Sequence, residues 1–270
     1  MTLPAGVHRF GAVGKPPLLL LHSSQSNSGQ WRGLIQQLGA HFDILAIDLL
    51  GYGKAPATDD IEAEAFRFDD ELPRVLEAIA AMQWQQQLIT LVGHSYGAAL
   101  ALKLALEQPV PVRELVVFEP VAFHVLEANE PARAEIERIA AQMYQEDAEA
   151  ATRGFVDYWN QPGFFDALPE RIRAGMTAQA AKVTRDFAAL MGEPHKLSDY
   201  RNVTVPVLLL QGKHTQESAR CVAHHLLQVL PDAQSETLDC GHMGPVTHPQ
   251  LVNPAIVDFV TRHRDAECLV

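Results

Sequence analysis

A doubly wound α/β fold is what this sequence predicts: a mostly parallel β-sheet with helices on both faces and a helical cap inserted between two of its strands. Three observations carry that expectation. Short apolar runs recur along the chain with almost no polar alternation, as strands buried on both faces should. Stripes at helical spacing separate them, and strand–helix–strand repetition of this kind builds a parallel sheet. The repetition breaks once, over residues 121–202, where helical patterns continue without a convincing strand.

In chain order, the first run is "PLLLLH", Pro17 to His22. Trp31, Leu34, Ile35 and Leu38 then share one helical face before "FDILAIDL", Phe42 to Leu49. Leu72, Val75, Leu76 and Ile79 make the next stripe, with Pro73 tolerable only in a first turn. Two further runs follow, "QLITLVG" at Gln87 to Gly93 and "RELVVFE" at Arg113 to Glu119. Inside the break, Ile136, Ile139, Ala140 and Met143 keep helical spacing and lead to the aromatic stretch "GFVDYWNQPGFF". A strand–helix–strand unit needs only about 30 residues, so the break is too long for one crossover and reads as a cap. Residues 1–120 and 203–270 are then the core domain. Its sheet resumes with "VPVLLLQG", Val205 to Gly212, and closes with Ala233 to Leu238. Pro249 opens a last helix with Val252, Ala255, Ile256 and Phe259 on one stripe.

Bulk composition narrows the function. The 270 residues carry a formal charge of −12, from 21 basic and 33 acidic side chains. With no basic run, that argues against nucleic acid or an anionic membrane surface as partner. Cys221, Cys240 and Cys268 are few, odd in number and widely spaced, which suits a reducing compartment. The run Leu18 to Leu21 is too short to span a bilayer, and the first residues lack the regions of a signal peptide. A cytoplasmic protein acting on a small molecule is expected, with monomer or homodimer left open.

The chemistry concentrates in a few stretches. "LITLVGHSYGAALALKLA" sets Gly93-His94-Ser95-Tyr96-Gly97 directly after a buried strand and at the head of an apolar helix. A tight strand-to-helix turn exposes its serine there, and small residues on either side let the helix approach the strand. Ser95 is therefore the candidate nucleophile. A serine hydroxyl needs a base. Most of the twelve histidines lie in helical patterns or beside polar residues, whereas His242 sits in the glycine-bounded loop "DCGHMGPVTHP" between the last strand and the last helix. His242 is the candidate base, and His248 the second choice. The oxyanion needs two donors: the Tyr96 amide at the helix N-terminus supplies one, and the Ser24 amide in "LLLLHSSQSNSGQW" is the candidate for the other.

Taken together, "LLLLHSSQSNSGQW", "DLLGYGKAP", "GHSYGAA" and "GHMGPVTHP" resemble the α/β-hydrolase superfamily over nearly the whole chain, with the cap where capped members carry theirs. The resemblance implies an eight-stranded sheet, although Val7 to Val13 leaves room for only a reduced first hairpin. It also exposes two departures. The oxyanion loop usually reads His-Gly, and here it is His22-Ser23, a strained choice if that position needs positive φ. The acid usually follows the strand Val205 to Gln211, where this chain has Thr215. Some capped relatives take the acid from the neighbouring strand end, which makes Glu119 of "LVVFEPVAF" the first candidate. Glu217, an acid-free Ser–His pair and a non-catalytic relative remain as alternatives.

A serine at the elbow argues against the epoxide- and halide-displacing members of the superfamily, which use aspartate there. The resemblance then implies an acyl-enzyme hydrolase of a carboxylic ester or lactone, with a small, fairly apolar substrate. Carbon–carbon hydrolysis or lyase chemistry on the same scaffold stays open, as does a ligand-binding protein without turnover. Trp159 and Tyr158 of the cap, with Met243 beside the base, are the candidate substrate contacts. No cofactor is expected, and no Cys/His cluster suggests a metal.

Overall fold

The computed structural model describes residues 3–145 and 147–267, and Cys268 lies outside them. Its strands are β1 (Val7–Gly11), β2 (Pro17–Leu21), β3 (Asp43–Ile47), β4 (Ile89–His94), β5 (Val112–Phe118), β6 (Val207–Gly212) and β7 (Ala233–Leu238). They form one seven-stranded sheet in the order β1-β3-β2-β4-β5-β6-β7, parallel except for β1. The first segment is a single strand antiparallel to β3, not a reduced hairpin, so the sheet of the described residues is one strand short of eight.

Burial explains why the strands read as unbroken apolar runs. Leu18, Leu19, Leu20 and Leu21 are all fully buried, yet they serve opposite faces of the sheet. Leu18 and Leu20 pack with Trp31, Leu34, Val252, Ile256 and Phe259, from α1 (Arg32–Leu38), the turn before it and the C-terminal helix. Leu19 and Leu21 belong to the other core, with Val75 and Ile79 of α2 (Phe68–Ala81) and Leu100 and Leu104 of α3 (Tyr96–Glu107). β7 differs because it is an edge, and its Gln234, Ser235 and Glu236 are exposed.

One helix starts earlier than its apolar stripe suggests. Helix α2 begins at Phe68, which places Pro73 in the second turn rather than the first. The head of the helix is acidic, with Asp69, Asp70 and Glu71 facing the positive end of its dipole. The Asp70 carboxylate accepts the Arg67 N–H at 2.7 Å and so fixes that early start.

Between β5 and β6 the chain forms α4 (Pro131–Gln145), α5 (Ala148–Trp159), α6 (Phe164–Ala167), α7 (Glu170–Thr177) and α8 (Ala180–Met191), with no strand among the described residues. After β6 come α9 (Glu217–Val229), α10 (Gly244–Thr247) and α11 (Pro249–Glu267). No helix of the described residues is long and apolar enough to cross a membrane.

Candidate active site

The carboxyl ends of β4, β5 and β6 open on one side of the sheet, and three loops meet there. Ser95 follows β4 at φ 55° and ψ −118°, a conformation that L-residues avoid. Tight packing holds it there. A Cβ on Gly93 would come within 2.5 Å of the Gly97 carbonyl oxygen, and one on Gly97 within 2.4 Å of the His22 carbonyl oxygen. The helix therefore starts against the strand, and its first amide, Tyr96 N–H, has no intrahelical partner.

His242 reaches this turn from the loop after β7. Its Nε2 lies 2.9 Å from Ser95 Oγ and its Nδ1 lies 2.5 Å from Glu119 Oε2. With Nδ1–H donating to the carboxylate, Nε2 is left to accept the serine proton. His242 and Glu119 are both buried, at 2% and 0% exposure, so the pair is screened from water. His94 supports the histidine loop from beneath, its Nε2 2.9 Å from the His242 carbonyl oxygen. Burial, and then the neighbouring His242, hold the His94 pKa well below 6.5, so it packs there as a neutral ring.

Glu119 takes its place in an unusual way. It follows β5 at φ 45°, and its own N–H donates to the Leu210 carbonyl oxygen of β6 at 2.9 Å. Its Oε1 accepts the Gly212 N–H at 2.6 Å, and its Oε2 accepts the Thr215 hydroxyl at 2.6 Å. Thr215, where the sequence has no acid, thus donates to a carboxylate that follows the neighbouring strand. Glu217 is solvent-exposed in α9, paired with Arg220, and stands outside this arrangement.

The family follows from the sequence as a whole. A sequence model described as the alpha/beta hydrolase family matches residues 18–255. This chain belongs to the alpha/beta hydrolase family. The hydrolase is 27% identical over 266 residues to the 2-hydroxy-6-oxo-6-(2'-aminophenyl)hexa-2,4-dienoic acid hydrolase of Metapseudomonas resinovorans, covering 95% of this chain and 88% of that one. Over 114 residues it is 35% identical to the pimeloyl-(acyl-carrier protein) methyl ester esterase of Aeromonas salmonicida (strain A449), covering 42% of this chain and 41% of the other. A solved hydrolase from Pseudomonas aeruginosa PA01 superposes with a TM-score of 0.74 at 26% identity, covering 94% of this chain and 93% of that one.

In this hydrolase two small adjoining cavities, about 60 and 10 Å³, lie against Ser95. Ser23, Ser24, Trp159, His242 and Met243 line the first, and Ser24, Phe123, Trp159 and Asp186 line the second. Trp159 stacks on His242 with ring centroids 3.8 Å apart and planes at 26°. Of the other expected contacts, Met243 reaches the cavity and Tyr158 does not. The Tyr158 hydroxyl lies 2.6 Å from Ser218 Oγ on α9, a hydrogen bond to the core rather than to the cavity. A larger cavity of about 650 Å³, lined by His8, Arg32, Asp48 and Lys54, contains neither Ser95 nor His242.

The loop after β2 departs from expectation at one residue. Ser23 is not at positive φ; Gln25 takes that conformation, at φ 54°. The Ser23 N–H donates to the Gln30 side chain at 3.3 Å, and Ser24 lies beside Ser95 in the cavity. Phe155, Met176, Phe187 and Asp186 also belong to the lining, beyond the residues expected from the sequence. The spacing of Phe155 to Trp159, one helical turn, was the available signal for the first of these.

Proposed function

We propose that this protein is a serine hydrolase that cleaves a small, uncharged carboxylic ester or lactone through an acyl-enzyme on Ser95. The observation that carries the reading is the continuous chain from Ser95 Oγ to His242 to Glu119, at 2.9 and 2.5 Å. Ser95 Oγ attacks the carbonyl carbon as its proton passes to His242 Nε2. The resulting oxyanion is held by the backbone amides of Ser24 and Tyr96. Glu119 fixes the imidazole tautomer and stabilises the imidazolium. The imidazolium then protonates the leaving alkoxide as the carbonyl re-forms. A water molecule, deprotonated by His242, attacks the acyl-enzyme and releases the acid.

In this reading residues 121–202 act as a cap over the core, and Trp159 and Met243 face the substrate. Ligand sites commonly have volumes of about 300–1,000 Å³. The cavities beside Ser95 are far smaller, so the side chains over His242 must move to admit substrate.

The match to a dienoic acid hydrolase over 95% of this chain favours a second reading, carbon–carbon hydrolysis of an acidic substrate. The cavity lining favours the first. None of the residues lining the two cavities is Lys or Arg, so a substrate carboxylate would be desolvated without a cation. A fluorophosphonate probe followed by a panel of neutral esters, lactones and keto-acids tests both readings. Covalent labelling of Ser95 with turnover of neutral esters is expected. Turnover confined to keto-acids would select the second reading, and a serine that does not label would leave a binding protein.

A further inference from the structure

The side chains of the two residues whose amides are assigned to the oxyanion end on two buried carboxylates. The Ser24 hydroxyl donates to Asp186 Oδ2 at 2.6 Å, and the Tyr96 hydroxyl reaches Glu71 Oε1 at 3.3 Å. Asp186 lies on α8 of the insertion and Glu71 on α2 of the core. One cation joins them: Lys182 Nζ donates to Glu71 Oε1 at 3.0 Å and also to Asp186 Oδ1. The remaining acceptors are used as well, Asp186 Oδ2 by the Tyr52 hydroxyl at 2.5 Å and Glu71 Oε2 by the Leu50 N–H at 3.1 Å.

The surroundings of Lys182 are built for an ammonium. It is 4% exposed, with Nζ 5.0, 4.7 and 4.8 Å from the ring centroids of Tyr52, Phe66 and Tyr96. Its stem lies on Gly51, at φ +74°, where a Cβ would come within 2.9 Å of Lys182 Cγ. The "DLLGYG" stretch is thus the seat of this side chain. Burial opposes the Lys182 charge, but Asp186 and Glu71 outweigh it and raise its pKa; burial raises that of Glu71.

We propose that Lys182 is a positioning residue of the oxyanion hole, acting through Asp186 on Ser24 and through Glu71 on Tyr96. The proposal rests on the acyl-enzyme reading above. Geometry gives the reason. Oxyanion donors work only when fixed before the charge develops, and here one ammonium from the insertion braces the loops that carry both. The same cation balances carboxylates that would otherwise oppose a negative charge developing at the Ser24 and Tyr96 amides. Docking of α8 and completion of the oxyanion hole are then one event.

The test uses the full chain with a neutral ester, an alkyl boronic acid as tetrahedral analogue, and thermal melting. Removing one oxyanion donor costs about 10²–10³ in kcat in comparable enzymes. Lys182→Met should lower kcat and boronate affinity in parallel by about 10²-fold or more, with KM changed less than about threefold. Because that variant leaves two carboxylates buried together, Asp186→Asn and Ser24→Ala form a second, milder arm. Ser24→Ala keeps the backbone amide, and on the Asp186→Asn background it should add less than about threefold, since an amide that turns its oxygen to Lys182 sets its NH2 where the Ser24 hydroxyl donated, so both variants act on the same contact. Additive effects in that cycle, or a lower melting temperature with kcat and boronate affinity unchanged, would overturn the proposal. A labelled wild-type Ser95 with a fully active Lys182→Met sinks this inference alone. A wild-type Ser95 that no fluorophosphonate labels sinks the acyl-enzyme reading and this proposal with it.

Discussion

Glu119→Gln separates the roles of charge and tautomer at one atom. In the wild type, Oε1 accepts the Gly212 N–H, while Oε2 accepts both the Thr215 hydroxyl and His242 Nδ1–H. A glutamine has one oxygen and one NH2 to offer these partners. If the oxygen faces Gly212, the NH2 faces His242 Nδ1, which must then accept. The proton moves to Nε2, and the ring can no longer take one from Ser95. In a comparable triad the wrong tautomer costs about 10⁴-fold in kcat. If the amide flips, His242 keeps its tautomer but the Gly212 N–H is buried against a donor, at about 1–3 kcal/mol. The flipped, productive form is then a minority of roughly one in 5 to one in 150, at a factor of ten per 1.36 kcal/mol. Even that minority lacks the charge that stabilises the imidazolium. A loss of about 10³–10⁴ in kcat/KM is expected, with the melting temperature lowered by a few degrees at most. The assay is steady-state hydrolysis of the best ester in the panel, with fluorophosphonate labelling rates beside it. A loss under about tenfold would refute the assignment of Glu119.

Ser95→Ala should abolish labelling and lower kcat by roughly a millionfold while melting as a folded protein; retention of most activity would remove the acyl-enzyme mechanism. Thr215→Val deletes one donor to a buried carboxylate, so stability should fall by about 1.5–3 kcal/mol in urea titrations and kcat/KM by about tenfold; no change in either would mean the hydroxyl is idle. Thr215→Asp on the Glu119→Gln background places a carboxylate beside the vacated Oε2 position and should recover at least about tenfold of the lost rate, whereas a further loss would speak against it. Trp159→Ala uncovers His242 and should shift preference toward bulkier esters; uniform loss of activity with a large drop in melting temperature would mark Trp159 as core alone. Acid should destabilise the fold, because burial lowers the pKa of His22 and of His124 to about 4. Between about pH 6.5 and 4 the unfolded chain binds protons that the native one refuses, so the stability present above pH 6.5 falls by about 1.4 kcal/mol per unit for each ring. A urea midpoint that rises from pH 7 to pH 5 would contradict this.

Much of the sheet was legible because burial on both faces leaves a local mark. The runs at Pro17 to His22 and Val205 to Gly212 match β2 and β6 to within two residues, and β7 spans Ala233–Leu238 as read. The residues now seen around Ser95 were legible where a glycine turn or a strand end marked them, as with His242 and Glu119. What stayed hidden depends on tertiary contact. Nothing in "GKHTQES" says that Thr215 donates to a carboxylate 96 residues earlier. Lys182, Asp186 and Glu71 carry no local mark in the sequence, and only packing turns them into a buried network. Tyr158 and Trp159 are adjacent in sequence but, on a helix, point about 100° apart, so one faces the base and the other the core.

The backbone holds strain at both Ser95 and Glu119. Both residues sit at positive φ, 55° and 45°, at the ends of neighbouring strands, and neither is glycine. Such conformations cost of order 1–3 kcal/mol each and persist only where something holds them. A glycine at Ser95 would relieve that strain, whereas a glycine at Glu119 would strip the Gly212 N–H, the Thr215 hydroxyl and His242 of their shared acceptor. Here both positions carry a side chain, in the two places where a hydroxyl and a carboxylate meet one imidazole. Comparing Ser95→Gly with Ser95→Ala reads that tension directly. Both lack the hydroxyl, so a higher melting point for the glycine variant measures what the elbow forgoes in stability to present its serine.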